Sequence, residues 1–309
     1  MPIVVASLAG WLFILSHSAP SSPAAGATSA LHDSITAIRS PSSRATERAA
    51  APDRLAYRSH VDVPVTVLAT AAWIAAEIDK THLVSVNCKW CDRAPDGSST
   101  LNGLDSWGRR AFLWRHTGRA ITASHITGFV LAPAAAYGLD WMAASRDGRK
   151  WDAPVDALLI TQAMAIASDV TQAMKFTIGR ERPFVHALAP PARATTPDSA
   201  DNNTSFPSGH ATLAFALATS SSEIAVLRGY GSARWFLRAG LPLATLTAYL
   251  RVAADRHYVT DVLAGAGVGA AAGFGVPYLA HRNKTDRRVP AVRIVPTMRG
   301  EMVAAQWVW

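Results

Sequence analysis

Cysteine is scarce in this chain of 309 residues, which has two, Cys88 and Cys91, in a single C-x-x-C arrangement. Two thiols alone cannot provide the four ligands of a structural zinc site. A C-x-x-C redox pair normally accompanies a βαβ pattern, and no such pattern surrounds these residues. The sequence therefore leaves two interpretations, a local disulfide or two thiols without a chemical role.

Alternating strand patterns are nearly absent before residue 285, and no internal repeat is apparent. The sequence also lacks the runs of lysine and arginine, interleaved with aromatic residues, that are typical of a nucleic-acid groove. Clusters of His, Cys and carboxylates at metal-ligand spacing are missing too. These absences exclude a β-rich fold and predict no nucleic-acid partner, no metal and no cofactor.

Apolar residues and basic charge, by contrast, are abundant. Half of the residues are apolar, which is enough for a large core in one large domain or two small ones. The formal net charge is +8 and the isoelectric point is about 9.9. Such a charge suits an anionic partner or a membrane surface without choosing between them.

Residues 1–30 combine an apolar run at 3–15 with the small residues and prolines that follow it. They resemble a signal peptide, but its basic n-region is missing, so an uncleaved N-terminal anchor is the other interpretation. Residues 31–60 are rich in Ala, Ser, Pro and Arg without a sustained period. We expect a disordered linker there.

Six apolar segments fill the region 61–284, and they cover residues 64–78, 120–144, 153–178, 209–227, 235–252 and 258–280. They predict an all-α fold, a membrane-embedded bundle of about six apolar helices. The first segment is short for a membrane span, which needs about 20 residues. The last is rich in Gly and Ala, which suits close helix packing. We also expect an amphipathic helix near 104–114 and a basic tail, 285–309, compatible with a short hairpin.

Basic residues collect in the connections at one end of this bundle, namely Arg146, Arg149, Lys150, Arg228, Arg234, Arg282, Lys284, Arg287 and Arg288. The positive-inside rule places such connections in the cytoplasm, so the other end would face the periplasm of a bacterial-type envelope. A cleaved signal peptide followed by six spans would reverse this orientation. A soluble periplasmic bundle is the alternative to an inner-membrane protein.

Two polar stretches lie at ends of apolar segments. The first runs from Lys175 to Pro183 and places Arg182 seven residues after the lysine. The second runs from Pro207 to His210 and opens the next apolar segment. There Ser208 and Gly209 occupy a helix start, where free N–H groups and the positive end of the dipole favour an anion.

A third stretch, which links the last two apolar segments, contains Arg251, His257 and Asp261. His257 and Asp261 are four residues apart, so on a helix they share one face. A carboxylate there can hold one imidazole nitrogen and leave the other free to react. Arg251 supplies a fork of donors suited to phosphate. Because helix directions alternate, all three stretches are expected at the same end of the bundle.

In their order and internal spacing, these stretches resemble the signature of the type 2 phosphatidic acid phosphatase superfamily, which includes vanadium haloperoxidases and bacterial class A acid phosphatases. The signature K-x6-R-P, P-S-G-H and S-R-x5-H-x3-D is matched by Lys175 to Pro183, Pro207 to His210, and Arg251 to Asp261. Leu250 stands where the family often has Ser or Thr. The resemblance covers about residues 120–280.

The resemblance implies that His257 attacks phosphorus, that Asp261 orients it, and that His210 protonates the leaving oxygen. The phosphate-binding residues would be Lys175, Arg182, Ser208, Gly209 and Arg251. It thereby implies a metal-independent phosphatase of a phosphomonoester or diphosphate, with a lipid substrate if the bundle lies in a membrane. A soluble acid phosphatase and a vanadium haloperoxidase are the alternatives. Arg180 and Glu181 are interpreted as merely flanking the site, and the exact substrate and the oligomeric state are left open.

Overall fold

The computed structural model describes residues 53–85, 87–193, 196, 199–283, 292–297 and 300–305. Its helices are α1 (Ser59–Ile78), α2 (Lys80–Leu83), α3 (Gly103–Phe112), α4 (Thr117–Ile126), α5 (Ala132–Arg146), α6 (Ala153–Ile178), α7 (Pro183–His186), α8 (Pro190–Arg193), α9 (Gly209–Arg228), α10 (Arg234–Ala253) and α11 (Val259–Ala280). The predicted all-α bundle is confirmed. In the tail, β1 (Val292–Thr297) and β2 (Gly300–Ala305) form a short antiparallel pair. The predicted signal peptide or anchor lies outside the described residues.

Four helical segments in the described part of the chain are long and apolar enough to cross a membrane: Ser59–Ile78, Thr117–Arg146, Ala153–Ile178 and Val259–Ala280. Large apolar side chains on them, such as Leu68, Val130 and Leu263, are exposed, as expected for lipid-facing surfaces. The protein is therefore a membrane-embedded helical bundle. Helices α9 and α10 are as long as α1, but they do not meet the same criteria of hydropathy and charge.

The first apolar helix is longer than predicted. It begins at Ser59 rather than residue 64 and has 20 residues, enough for a span. The Asp62 carboxylate accepts a hydrogen bond from the Arg58 backbone N–H at 2.6 Å, which caps the additional turn. The chain just before it is also fixed, since Arg54 N–H donates to the Leu227 carbonyl at 2.8 Å. Residues 53–60, the last part of the predicted linker, are thus held against the bundle at Arg54 and include the start of α1, and the earlier part of the linker lies outside the described residues.

Helix α9 lies at the centre of the bundle, packed against α6, α10 and α11. The face of α11 that meets α9 is built from glycine. A Cβ atom on Gly265 would lie 2.5 Å from the Ser208 carbonyl oxygen, and one on Gly269 would lie 2.2 Å from the Thr212 carbonyl oxygen. These glycines therefore allow the two backbones to approach closely, as predicted for this Gly/Ala-rich segment. The contact holds the beginning of α9 against the first turns of α11.

The second apolar segment is not one continuous α-helix. A π-helical turn, Thr127–Leu131, joins α4 to α5, and Pro133 follows it within the first turn of α5. Because proline has no N–H to donate to the preceding turn, a widened turn immediately before it is a favourable accommodation. The turn itself lies against α9, since a Cβ atom on Gly128 would lie 3.4 Å from the His210 ring.

Candidate active site

Three helix ends bring the sequence motifs together at one end of the bundle. Lys175 lies in the last turn of α6, Ser208 immediately precedes α9, and Arg251 lies in the last turn of α10. His257 follows in the short connection to α11. The Ser208 N–H donates to the Asp261 carbonyl at 3.0 Å, which ties the second motif to the third.

Arg182 lies directly beside the ring of His257. Its Nη1 atom is 3.3 Å from His257 Nε2. The rest of the guanidinium is fixed by Asp201, whose Oδ1 atom accepts from Nη2 at 2.8 Å, and by Thr204 Oγ1 at 3.0 Å. Burial raises the pKa of the Asp201 carboxyl, but the Arg182 and Lys80 cations lower it further, so its pKa lies below the ordinary value. An ionised Asp201 thus holds Arg182 in place.

The tautomer of His257 follows from its other nitrogen. Nδ1 lies 2.7 Å from the backbone carbonyl of Ser205, and a carbonyl can only accept a hydrogen bond. Nδ1 therefore carries the proton, and in the neutral ring the unprotonated Nε2 accepts a hydrogen bond from Arg182 Nη1. Burial, aided by the Arg182 and Arg251 cations, holds the pKa of His257 well below its usual value.

Asp261 contacts His257 less directly than the motif spacing suggests. Its Oδ2 atom is 3.7 Å from His257 Nδ1, but it accepts a hydrogen bond from Ser205 Oγ at 2.5 Å and from the Tyr258 N–H at 2.8 Å. Ser205 thus connects the two motif residues, with its hydroxyl on Asp261 and its carbonyl on His257. The orienting role of Asp261 remains a prediction, and this geometry routes it through Ser205.

Arg180, which the sequence interpretation left as a flanking residue, is fully buried behind Asp261. Its Nη1 atom donates to Asp261 Oδ1 at 2.6 Å, and its Nη2 atom donates to Asp105 at 2.8 Å and to Asp92 at 3.0 Å. The guanidinium also lies over the ring of Trp90 at 4.1 Å. Its acidic partners Asp105 and Asp92 precede it by 75 and 88 residues, so no local pattern could have revealed them.

A disulfide-closed loop forms one wall of the Arg180 environment. Cys88 and Cys91 are bonded, which decides between the two interpretations that the sequence left open. Trp90, within that loop, accepts a hydrogen bond from the Glu181 N–H at 3.0 Å through its carbonyl. The loop thereby presents Trp90 and Asp92 to the buried guanidinium.

Polar atoms without a partner occur among the predicted catalytic and phosphate-binding residues. In the part of the chain that the structure describes, Ser208 Oγ, His210 Nε2 and Arg251 Nε are buried and have no hydrogen-bond partner. Buried polar atoms are normally paired, so three unpaired ones from motif residues indicate a site for a polar ligand. A Cβ atom on Gly209 would lie 3.1 Å from Lys175 Nζ, so a larger residue at the start of α9 would displace the end of this lysine.

Helix α4 contributes two residues to the site that the sequence interpretation did not assign. Ser124 Oγ accepts a hydrogen bond from Arg251 Nη1 at 3.1 Å. The ring of His125 stacks on that of His210, with centroids 5.2 Å apart, and Phe129 meets His210 from a second direction at 4.5 Å. The signal for His125 in the sequence is its polar side chain within the apolar segment 120–144.

The site consists of cations and histidines rather than metal ligands. Among the described residues, no group of three or more His, Cys, Asp or Glu side chains could hold a metal ion. The carboxylates nearest the site, Asp201 and Asp261, are each engaged by an arginine. The arrangement is suited to binding an anion beside a neutral, nucleophilic imidazole.

Comparisons with known proteins found a curated relative, a solved structure and a family model. A relative named lipid A 1-phosphatase, from Porphyromonas gingivalis, is 34% identical over 119 residues, which make up 38% of this chain and 22% of the relative. The solved structure of a transmembrane PAP2-type phosphatidylglycerolphosphate phosphatase from Bacillus subtilis aligns with 70% of this chain and 93% of its own, at 17% identity and a TM-score of 0.40. The model of the PAP2 superfamily matches residues 156–285, which contain all three motifs. This part of the chain is therefore similar to the PAP2 superfamily.

Proposed function

We propose that this protein is a lipid phosphatase, which hydrolyses a phosphomonoester or diphosphate through a phosphohistidine at His257. The named relatives act on lipid phosphates, and four helices of this chain are suited to a membrane. We further propose that the site faces the periplasm, because the basic connections collect at the opposite end of the bundle.

The observation that carries the proposal is the position of Arg182 on the reactive nitrogen of His257. Because Nη1 and Nε2 are 3.3 Å apart, a phosphate oxygen that takes over the Nη1 hydrogen bond would bring its phosphorus next to the Nε2 lone pair. The hydrogen bond from Nδ1 to the Ser205 carbonyl keeps that lone pair on Nε2. A cation and a nucleophile at one point are what attack on a phosphoryl group requires.

The reaction then has two steps. His257 Nε2 forms a bond to phosphorus while the bond from phosphorus to the leaving oxygen breaks, and His210 gives that oxygen a proton. Burial and the neighbouring cations hold the pKa of His210 well below its usual value, so His210 takes up this proton only when the anionic phosphate binds beside it. In the second step a water molecule attacks phosphorus and passes a proton to His210, and the electrons of the N–P bond return to Nε2. Inorganic phosphate leaves, and both histidines regain their starting states.

The remaining motif residues would stabilise the charge that develops on the phosphoryl oxygens. Lys175, Arg182 and Arg251 supply three cations around the histidine, and the beginning of α9 supplies Ser208 and its free N–H groups. While His257 is phosphorylated, its ring carries a positive charge. The Ser205 carbonyl and the Asp261 carboxylate, 3.7 Å from Nδ1, are placed to stabilise that charge.

Trapping of the intermediate tests the proposal. A radiolabelled phosphate ester, quenched in base because phosphohistidine is labile in acid, should label the wild-type chain and not His257→Ala. His210→Ala should still be labelled by p-nitrophenyl phosphate, whose leaving group needs little protonation, but should hydrolyse a lipid phosphate about 10²–10⁴-fold more slowly. His82→Ala changes an exposed histidine and is the matched control. Label retained in His257→Ala would reject the assignment.

A further inference from the structure

Helix α3 has two unlike sides. Asp105 and Gly108 are buried against the bundle, whereas Leu104 and Trp107 on an adjacent face are exposed, Trp107 to 51%. An exposed tryptophan and leucine on a short helix in water are unfavourable, because their apolar surface remains hydrated. This apolar face is continuous with Leu113 and Trp114, which follow the helix and are also exposed.

The helix is fixed to the connection that carries His257. The Asp105 carboxylate accepts from the Thr260 N–H at 2.8 Å, and Arg109 forms two hydrogen bonds to Asp255 at 2.7 and 2.8 Å. At Gly108 the contact is so close that a Cβ atom would lie 2.2 Å from a Val259 methyl group. The position of α3 therefore sets the position of the active-site end of the bundle.

A row of aromatic rings continues the apolar face of α3 onto α10. Trp107 meets Phe112 at 5.1 Å, Phe112 meets Tyr249 at 5.7 Å, and Trp114 meets Tyr249 at 6.4 Å between ring centroids. Trp114 Nε1 donates to the Tyr249 hydroxyl at 2.9 Å. Partly exposed Trp and Tyr side chains in such a row are typical of the boundary between lipid and water.

The surface beside this row is basic. Arg110, Arg115 and Arg119 are exposed, and the single acidic residue between positions 103 and 119, Asp105, is buried. Basic side chains next to interfacial aromatic rings are complementary to anionic lipid headgroups. The charge thus favours a bilayer with anionic lipids as the partner of this surface.

The aromatic row also has a counterpart at the opposite end. Helix α10 exposes Trp235 at its beginning, Leu241 and Leu246 along its length, and Tyr249 near its end. Tyr249 lies fourteen residues after Trp235, which is about 21 Å at the rise of an α-helix. Aromatic residues at the ends of an exposed apolar surface are typical of the boundary between lipid and water, which agrees with the position of Tyr249 in the row.

We propose that α3 lies in the plane of the membrane interface on the active-site side, with Trp107 and Trp114 among the lipid headgroups and Arg110, Arg115 and Arg119 on anionic phosphates. The helix would hold His257 at the depth of a lipid phosphate, so that the substrate need not leave the bilayer. The proposed membrane contact is inferred from the geometry of α3 alone, whereas the proposed effect on catalysis rests on the proposed function.

A fluorophore placed on α3 tests the contact. The Cys88–Cys91 disulfide is the chain's only cysteine pair, so Trp107→Cys can be labelled alone in protein reconstituted into nanodiscs. We expect the fluorescence of this label to be quenched by lipids spin-labelled near the headgroup and to be protected from aqueous iodide. The control is a label on Asp96→Cys, in an exposed turn, whose fluorescence should be quenched by iodide and not by the spin-labelled lipids. A Trp107 label quenched by iodide as strongly as the control would overturn the proposal.

A kinetic experiment tests the consequence. Replacing Arg110, Arg115 and Arg119 by glutamine should raise the KM for a lipid phosphate in phosphatidylglycerol-containing bilayers, by about fivefold for each charge removed. The KM for p-nitrophenyl phosphate should stay unchanged, because these residues do not touch the site. Equal changes for both substrates would reject the role in catalysis. A wild-type chain inactive on all esters would reject the proposed function, and the label would still decide the position of α3.

Discussion

Arg180 offers the sharpest test of how the site is supported. Replacing it by methionine keeps much of the side-chain volume but removes the guanidinium that joins Asp92, Asp105 and Asp261. Asp105 and Asp261 are fully buried, so each would lose its charged partner without gaining water. Removing one member of a buried ion pair costs about 3–5 kcal/mol. We therefore expect a large loss of stability from a residue that does not contact phosphate.

The measurement is thermal unfolding of the detergent-solubilised protein, followed by the circular dichroism of its helices. A loss of this size should lower the midpoint by on the order of 10 °C. Arg109→Met is the comparison variant, because it breaks one ion pair, with Asp255, whereas Arg180→Met breaks three. Arg109 is also partly exposed, so its midpoint should fall clearly less than that of Arg180→Met.

Enzyme kinetics should distinguish the supporting role of Arg180 from the phosphate-binding role of Arg182. Arg180→Lys, assayed below its unfolding transition, should keep a KM for p-nitrophenyl phosphate close to that of the wild type, because Arg180 lies behind Asp261. Arg182→Lys should raise the KM, since its guanidinium faces the reactive nitrogen of His257. An Arg180→Met midpoint equal to that of Arg109→Met would refute the supporting role.

Further expectations concern the histidine and its environment. Ser205→Ala should reduce kcat less than Asp261→Asn does. The alanine variant retains the backbone carbonyl that holds His257 Nδ1, whereas the amide of Asn cannot accept all the hydrogen bonds that Asp261 accepts. Equal losses of kcat in the two variants would contradict this expectation. Because the pKa of His257 is held well below its usual value, the neutral nucleophile persists as the pH falls, and the acid limb of kcat/KM should lie below about pH 6.5. Activity should survive EDTA, and its loss with recovery on adding a divalent ion would refute a metal-free mechanism. Vanadate should inhibit the enzyme, since its trigonal-bipyramidal form resembles the transition state of phosphoryl transfer. Activity that is insensitive to vanadate would count against the proposed phosphate-binding site.

The bundle and the gathering of the motifs could be predicted because both depend on local patterns. Long apolar segments without strand periodicity imply helices, and alternating helix directions bring Lys175, Ser208, Arg251 and His257 to one end. The beginning of α1 was missed because its first turn depends on a cap at Asp62 rather than on hydrophobicity.

The supports of the site could not be predicted, because they depend on contacts between distant parts of the chain. Arg180 is an unremarkable residue of the first motif until Asp92 and Asp105 fold against it. The four-residue spacing of His257 and Asp261 suggested a direct pair, but Asp261 caps α11 and reaches the imidazole through Ser205. Hydrogen bonds of this kind produce no repeating pattern in the sequence from which they could be predicted.

The range of residues that matches the family model does not include all the residues that build the candidate active site. The family match begins at residue 156, yet Asp92, Asp105 and Ser124 lie before it and hold Arg180 and Arg251 from outside. Exchanging only the matched region between relatives would transplant every motif residue while leaving its counter-charges behind. A chimera meant to carry activity from one member to another should therefore take the stretch from the disulfide loop to the π-helical turn along with it.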